Sequence, residues 1–273
     1  MISIIMPSYC PPIDKITFTL VQLLKHDIRF EIILVLQKTP AKTIADIERQ
    51  FTDSRLRIVV DDGVGISRAR NKGIKHSLGD WLLFLDDDIV VEHEALARFV
   101  KGEDFSGNKA QFYYGNLYIH GTNRHYLNYP LKGKDVGFFS YNRICSVMLV
   151  IKKELFKKIG PFDERMGSGT FFGAYEEADI IIQALLKGIK IKYLADYSIY
   201  HEAADYGEDK VIKYARGTGA LYRKHWFKGN FILDIKLISD LLIRILLLFT
   251  LKKKRRIWFK GFIEGYLNFG KTR

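Results

Sequence analysis

GDWLLFLDDDIV, residues 79–90, decides how this chain is read. A Gly-Asp turn leads into five apolar residues, Trp81 to Leu85, and three consecutive aspartates follow. The apolar run is too short for a helix and fits a buried strand. Asp86, Asp87 and Asp88 then stand at the strand's carboxyl end. Three adjacent carboxylates repel one another, so they need solvent, hydrogen bonds or a cation. A solvated acidic loop and a metal site both meet that need. Oxygen ligands in this place suit Mg²⁺ or Mn²⁺ bound together with a diphosphate.

Working outward, short apolar runs alternate with helix-length segments. ISIIM (2–6), EIILVL (31–36), LRIVV (56–60) and WLLFL (81–85) read as strands. Residues 13–26, 41–51 and 66–77 read as helices, the first through the spacing of Ile16, Leu20, Leu23 and Leu24. That alternation implies right-handed βαβ crossovers and a parallel sheet. Ligands of such sheets bind beyond the carboxyl ends of the strands. The second half is less regular. Strand-like pieces occur at 111–119, 144–151 and 189–194, and a helix fits 176–186. A mixed sheet completing the same domain is the economical reading.

The matching pieces SIIMPSY (3–9), ARNKGI (69–74), GDWLLFLDDDIV (79–90), GPFDE (160–164) and YEEADI (175–180) occur in one order over about residues 1–200. In that combination the chain resembles a family 2 glycosyltransferase with the GT-A fold. The resemblance implies an inverting transfer from a UDP-, GDP- or dTDP-sugar to a glycan or polyprenyl-linked acceptor in cell-surface polysaccharide synthesis. It assigns Pro7, Ser8 and Tyr9 to the border of the nucleotide. Tyr9 would stack on the base, or serve only as a turn residue over the sheet edge. The family's acidic pair after the second strand is replaced by Leu36 and Gln37. Gln37 offers hydrogen bonds to the base without charge. Arg70, with Arg68 as the alternative, is expected on the diphosphate. Asp86 and Asp88 are the implied DxD pair. Asp88 would bind the metal most directly, Asp86 would lie nearer the sugar or ribose, and Asp87 would border the donor in a mostly structural role. His201, some residues past the late strand, is a candidate to assist the metal. Glu177 stands where the family carries its aspartate base, with Glu176 as the reserve. Asp179 is expected to orient its neighbours. GSGTFFGAY (167–175) suits a loop over the acceptor.

Composition bounds the rest. The 273 residues suit one α/β domain with an appendage. Cys10 and Cys145 form no CxxC pair or disulfide framework, and the start lacks a signal peptide, so a cytoplasmic protein is expected. Of the net charge of +12, residues 225–273 carry +8. The division is therefore placed at a GT-A domain, 1–224, and a basic amphipathic helical segment, 225–273. Within 231–251, Lys236, Ser239, Asp240, Arg244 and Thr250 share one face of a helix, Asp234 is the exception, and the rest is Leu, Ile and Phe. Lys252 to Arg256 follow as five consecutive cations. An interfacial anchor on the inner face of the membrane fits this pattern, and packing on the catalytic domain or on a second subunit is the alternative. No nucleic-acid motif accompanies the charge. Two other functions compete: a sugar nucleotidyltransferase, whose Gly-rich N-terminal loop is replaced here by SYCPP, and a non-catalytic nucleotide-sugar-binding scaffold.

Overall fold

The computed structural model describes residues 1–91, 110–127, 131, 133–203, 207–248 and 253–271. Its front half follows the expected alternation: β1 Ile2–Tyr9, α1 Ile13–Leu24, β2 Phe30–Gln37, α2 Ala41–Gln50, β3 Leu56–Asp61, α3 Ile66–His76 and β4 Trp81–Phe84. These strands pair in parallel, in the order β3-β2-β1-β4. Every residue of β2 is buried, as is β1 except Tyr9, because helices cover both faces of a parallel sheet. Pro7 is tolerated in this inner strand because pairing with β4 ends at Ile5 and Phe84, so its missing N–H leaves no ladder bond open there.

The sheet continues through β5 Ile89–Val91, β6 Phe112–Ile119, β7 Leu149–Lys152 and β8 Ile191–His201, giving eight strands in the order β3-β2-β1-β4-β7-β6-β8-β5. β7 runs antiparallel to β4 and β6, β5 antiparallel to β8, and β6 parallel to β8. The expected strand over 144–151 is realised only at its end. Residues 146–148 form a 3₁₀ turn, which directs the Ser146 hydroxyl inward to Arg70. The late strand runs on to residue 201, so His201 is its last residue instead of lying several residues beyond it.

A buried carboxylate fixes where β4 begins. Glu31 on β2 accepts hydrogen bonds from the Ser3 hydroxyl and from the backbone N–H groups of Leu78 and Gly79, the last at 3.1 Å. With three donors its charge is satisfied. The Gly79-Asp80 turn is thereby pinned to β1 and β2, and the three aspartates emerge at the far end of β4.

The remaining helices are α4 Phe156–Ile159, α5 Glu176–Leu186, α6 Glu208–His225, α7 Phe231–Leu248 and α8 Lys253–Phe269. Placing a division at 224/225 does not separate two cores: Leu233, Leu237, Phe262 and Phe269 belong to the same buried cluster as the sheet. Helix α8 lies directly on α6 through glycines. A Cβ on Gly219 would sit 2.1 Å from the Phe262 carbonyl oxygen, and one on Gly265 would sit 2.1 Å from that of Arg216. Of the five cations expected as an anchor, Lys253 to Arg256 open α8, while Lys252 lies outside the described residues.

This contact yields a stability prediction. Gly265→Val must push α8 off α6, and overpacking of this kind costs about 1–3 kcal/mol, more than the few tenths gained in helix propensity. Thermal denaturation should show a lower Tm for Gly265→Val, whereas Gly137→Ala, where a Cβ meets nothing within 4 Å, should melt like the parent.

Candidate active site

The acidic triplet sits where β4 ends and β5 begins. The β5–β8 ladder sets Ile89 opposite His201, which brings the imidazole to Asp88, the residue before Ile89. One ligand atom each from Asp86, Asp88 and His201 lies within 4.8 Å of the others. The His201 Nδ1 is 2.7 Å from the Glu202 carbonyl, so in the neutral ring Nδ1 carries the proton and Nε2 keeps a lone pair. That lone pair faces Asp88 Oδ1 at 3.4 Å. Asp86 Oδ1 is buried without a hydrogen bond, and its nearest cation, Arg70 Nη2, is 3.5 Å away. Two carboxylates and an imidazole that turn unpaired acceptors toward one point fit a divalent cation. Burial, together with the neighbouring aspartates, pushes the Asp86 carboxyl above the ordinary range despite Arg70 and His201.

Asp87 faces the other way. Burial raises its pKa, but the Ser8 hydroxyl donates to Oδ2, and the Asp87 carbonyl accepts from Thr19 Oγ1 at 2.9 Å. The triplet is thus fastened to β1 and α1. From α1, Lys15 reaches Asp88 Oδ2 at 2.9 Å. Burial lowers the Lys15 pKa, but the Asp88 hydrogen bond and the charges of all three aspartates outweigh it and leave the pKa raised.

Two cavities meet at these residues. The first, about 650 Å³, is bounded by Pro7, Ser8, Tyr9, Lys15, Gln37 and the three aspartates. The second, about 720 Å³, is bounded by Arg70, Ser146, Tyr175, Glu176, Glu177 and Tyr214. Ile66, Asp86, Asp88, Ser168 and His201 line both. Both volumes fall in the range of small-molecule sites. The residues expected from sequence therefore divide into two groups that share the metal carboxylates.

Tyr9 is 58% exposed at the edge of the first cavity. Gln37 is buried, and both ends of its amide are engaged: Nε2 donates to Asp61 Oδ2 at 2.8 Å, and Oε1 accepts from Gly65 N–H at 3.2 Å. Asp61, the register partner of Gln37 at the end of β3, went unnoticed in the sequence. It supplies the carboxylate that Gln37 lacks, one strand over. Burial pushes the Asp61 pKa up, yet hydrogen bonds from Gln37, Arg68 and Lys72 lower it to about 2. Arg68 is committed there at 3.1 Å.

Arg70 is the clearest departure from expectation. Its side chain is fully buried and does not line the first cavity. Its guanidinium bonds Glu176 Oε1 at 2.8 Å and Ser146 Oγ at 2.7 Å, beside Asp86 and near the Phe162 ring. Expected on a diphosphate, the guanidinium is engaged by protein partners here and borders the second cavity. Among the described residues Lys15 is the Lys or Arg side chain that lines the first cavity, and an isolated lysine on a helix carries no motif to mark it.

Helix α5 presents the two glutamates. Tyr175, just before it, holds a left-handed backbone with φ 73°, a strained state for a residue with a side chain. Glu176 is buried against Arg70. Glu177 is less enclosed; burial and the adjacent Glu176 charge push its pKa well above the ordinary glutamate range. Asp179 behaves as an orienting residue: it meets His225 Nε2 at 2.6 Å and Lys224 Nζ at 2.8 Å, locking α5 to the end of α6. The 167–175 loop is tied to α3 by Ile66 N–H to Ser168 O, 2.9 Å, and Ser67 Oγ to Met166 O, 2.7 Å. Gly167, at φ 98°, also allows Glu176 to pass: a Cβ there would meet its carboxylate at 3.0 Å.

The fold and this carboxylate-lined crevice define a GT-A-type protein. Residues 3–160, more than half the chain, match glycosyl transferase family 2, and the chain belongs to that family. It is 28% identical over 193 residues to an uncharacterized glycosyltransferase of Haemophilus influenzae, covering 68% of this chain and 62% of that protein. It is 31% identical over 142 residues to a PGL/p-HBAD biosynthesis glycosyltransferase of Mycobacterium bovis, covering 50% of this chain and 53% of the relative. The chain thus spans less than two thirds of either relative. S. aureus TarS 1–349 in complex with UDP shares the fold, with TM-score 0.64 and 18% identity over 88% of this chain and 70% of that one. The UDP-GlcNAc complex of the same protein gives 0.60 and 16%, over 97% and 89%.

The Asp61 cluster gives a pH-dependence with a defined sign. The folded pKa, about 2, lies below the model-compound 3.8, so folding is favoured by the ionised form. The resulting stability, roughly 2 kcal/mol, is complete above about pH 4 and is lost as pH falls toward 2. Urea denaturation should find Asp61→Asn less stable than the parent at pH 7, with the gap closing below pH 4.

Proposed function

We propose that the protein is an inverting glycosyltransferase that moves one sugar from a nucleotide-sugar donor to a hydroxyl acceptor. The observation that carries this reading is the pair of cavities joined at Asp86, Asp88 and His201, with Lys15 and Tyr9 on one side and Glu176 and Glu177 on the other. The first cavity takes the donor. Tyr9 stacks on the base, and Gln37, held from behind by Asp61, lies at its polar edge. UDP is the favoured nucleotide, because the TarS structures that share the fold hold UDP and UDP-GlcNAc. Asp86, Asp88 and His201 are the residues that would hold Mg²⁺ or Mn²⁺. When bound, that ion offsets the charge growing on the leaving diphosphate.

The second cavity takes the acceptor. Glu177 removes the hydroxyl proton as the acceptor oxygen attacks the anomeric carbon from the face opposite the nucleotide. The anomeric carbon–oxygen bond to the diphosphate breaks, its electron pair leaves with the nucleoside diphosphate, and the configuration inverts. Its raised pKa suits Glu177 to taking up a proton, while Glu176 is occupied by Arg70. Lys15, on the wall of the first cavity, is the cation placed to meet the diphosphate in place of the Arg70 expected from sequence. The acceptor is a glycan or polyprenyl-linked glycan, and the enzyme acts in cell-surface polysaccharide synthesis at the cytoplasmic face of the membrane.

Two measurements test this reading. Glu177→Gln should cut transfer by about 10²-fold or more with donor affinity retained, because it removes the base and little volume. The same loss in Glu176→Gln alone would move the base by one residue, and no loss in either would end the inverting-base mechanism. The parent rate should fall on an acidic limb lying above the ordinary glutamate range, since the carboxylate is the active form and its pKa is raised. Second, chelator should abolish nucleoside diphosphate release, and titration calorimetry should show Mn²⁺ binding weakened in Asp88→Ala. Full turnover in excess chelator contradicts the cation requirement.

A further inference from the structure

Helix α7 is amphipathic, and it is turned inside out. Its polar residues face the protein: Lys236 is 8% exposed and pairs with Asp240, while Arg244 lies 4.1 Å over the Trp258 ring of α8. Leu233 and Leu237 are buried beside them, and the opposite side of the helix is apolar and faces outward. Phe231 is 77% exposed, Leu242 and Ile243 are each 55% and Leu246 is 66%. Ile232 and Ile235 continue the same side of the helix. Singly exposed apolar residues are ordinary, but a continuous row along one helix marks an interaction surface. No helix among the described residues is long and apolar enough to cross a membrane.

We propose that this outer face of α7 inserts into the interface of an anionic lipid bilayer, with the start of α8 as its electrostatic rim. Charge selects the occupant. The Arg255 guanidinium donates to the Leu247 carbonyl at 2.9 Å, so the cations that open α8 are held against the end of the apolar row. Lys253, Lys254 and Arg256 are exposed there. A second copy of this chain would bring the same cations toward their own kind, whereas anionic headgroups complement them. The structure also narrows which part of the basic tail does this. Helix α8 packs on α6 through its glycines and exposes only Ile263 and Leu267 among its large apolar residues, so the longer apolar row is that of α7. The proposal does not depend on the transfer reaction, because it rests only on the surface of α7 and α8.

The test is cosedimentation of the full chain with phosphatidylcholine vesicles, with and without phosphatidylglycerol, beside analytical ultracentrifugation without lipid. The parent should bind only the anionic vesicles and should sediment as a monomer. The combined Leu242→Gln, Ile243→Gln and Leu246→Gln variant should bind at least about tenfold more weakly, because three apolar side chains no longer enter the lipid. Lys253→Gln, Lys254→Gln and Arg256→Gln together should also weaken binding, and added salt should reproduce that effect in the parent. Both variants should melt like the parent and release nucleoside diphosphate from donor alone at the parental rate. A parent that ignores anionic vesicles overturns the proposal. So does a parental dimer that the triple Gln variant dissociates, which would assign the face to a second copy.

Discussion

The buried guanidinium of Arg70 holds the crevice together. It comes from α3 and touches Glu176 at the start of α5, Ser146 in the turn before β7 and Asp86 at the end of β4. Without a cation, Asp86, Glu176 and the adjacent Glu177 would place three carboxylates in one poorly solvated region. Burial of such a group unpaired costs several kcal/mol. One fixed positive charge that cannot be titrated away resolves the conflict. It leaves an Asp86 oxygen beside Asp88 and His201 without a hydrogen bond, and it bonds Glu176 rather than Glu177. Two neighbouring glutamates therefore stand in different surroundings because of where one arginine points.

That division could not be read from the chain alone. ARNKG marked Arg70 as a polar residue near the chemistry, and a diphosphate is the obvious partner for an arginine beside an acidic strand end. What decides its partner is the depth of α3 against β1 and the inward turn of Ser146, both of them tertiary facts. Lys15 and Asp61 were missed for a related reason. Each is an unremarked charge within an amphipathic helix or at a strand end, and each matters only because another strand or helix brings a partner to it. By contrast, the acidic triplet, the front strands and α5 were legible, because they depend on local runs: a buried strand, a turn and a helix of apolar period. His201 falls between the two. Its residue type was noticed, but only the β5–β8 register explains why it reaches Asp88.

The tail shows how far periodicity can take the reading. A polar face and an apolar face on 231–248 are visible in sequence, but which one meets the protein is not. The usual arrangement buries the apolar side. Here the polar side is buried because the surface it meets is itself polar. Tyr141 and Tyr222 lie within electrostatic reach of Asp240 and Arg244, and the Lys236–Asp240 pair is closed within α7 itself.

This inversion also fixes the roll of the helix. A helix with exposed Leu and Ile in water would lower its free energy by rotating them inward, at roughly 25 cal/mol per Å² of apolar surface removed from water. Such a rotation would strip Arg244 from Trp258, move Asp240 off the tyrosines and expose Leu233 and Leu237, which belong to the central core. The gain on one side is offset by losses on the other, so the outward face is held in place by the inward one. Tyr175 joins the two ends of the molecule: it lies in the same cluster of charges and tyrosines, and its strained backbone directly precedes Glu176 and Glu177. The orientation of α7 and the placement of the glutamate pair are thus parts of one packed unit.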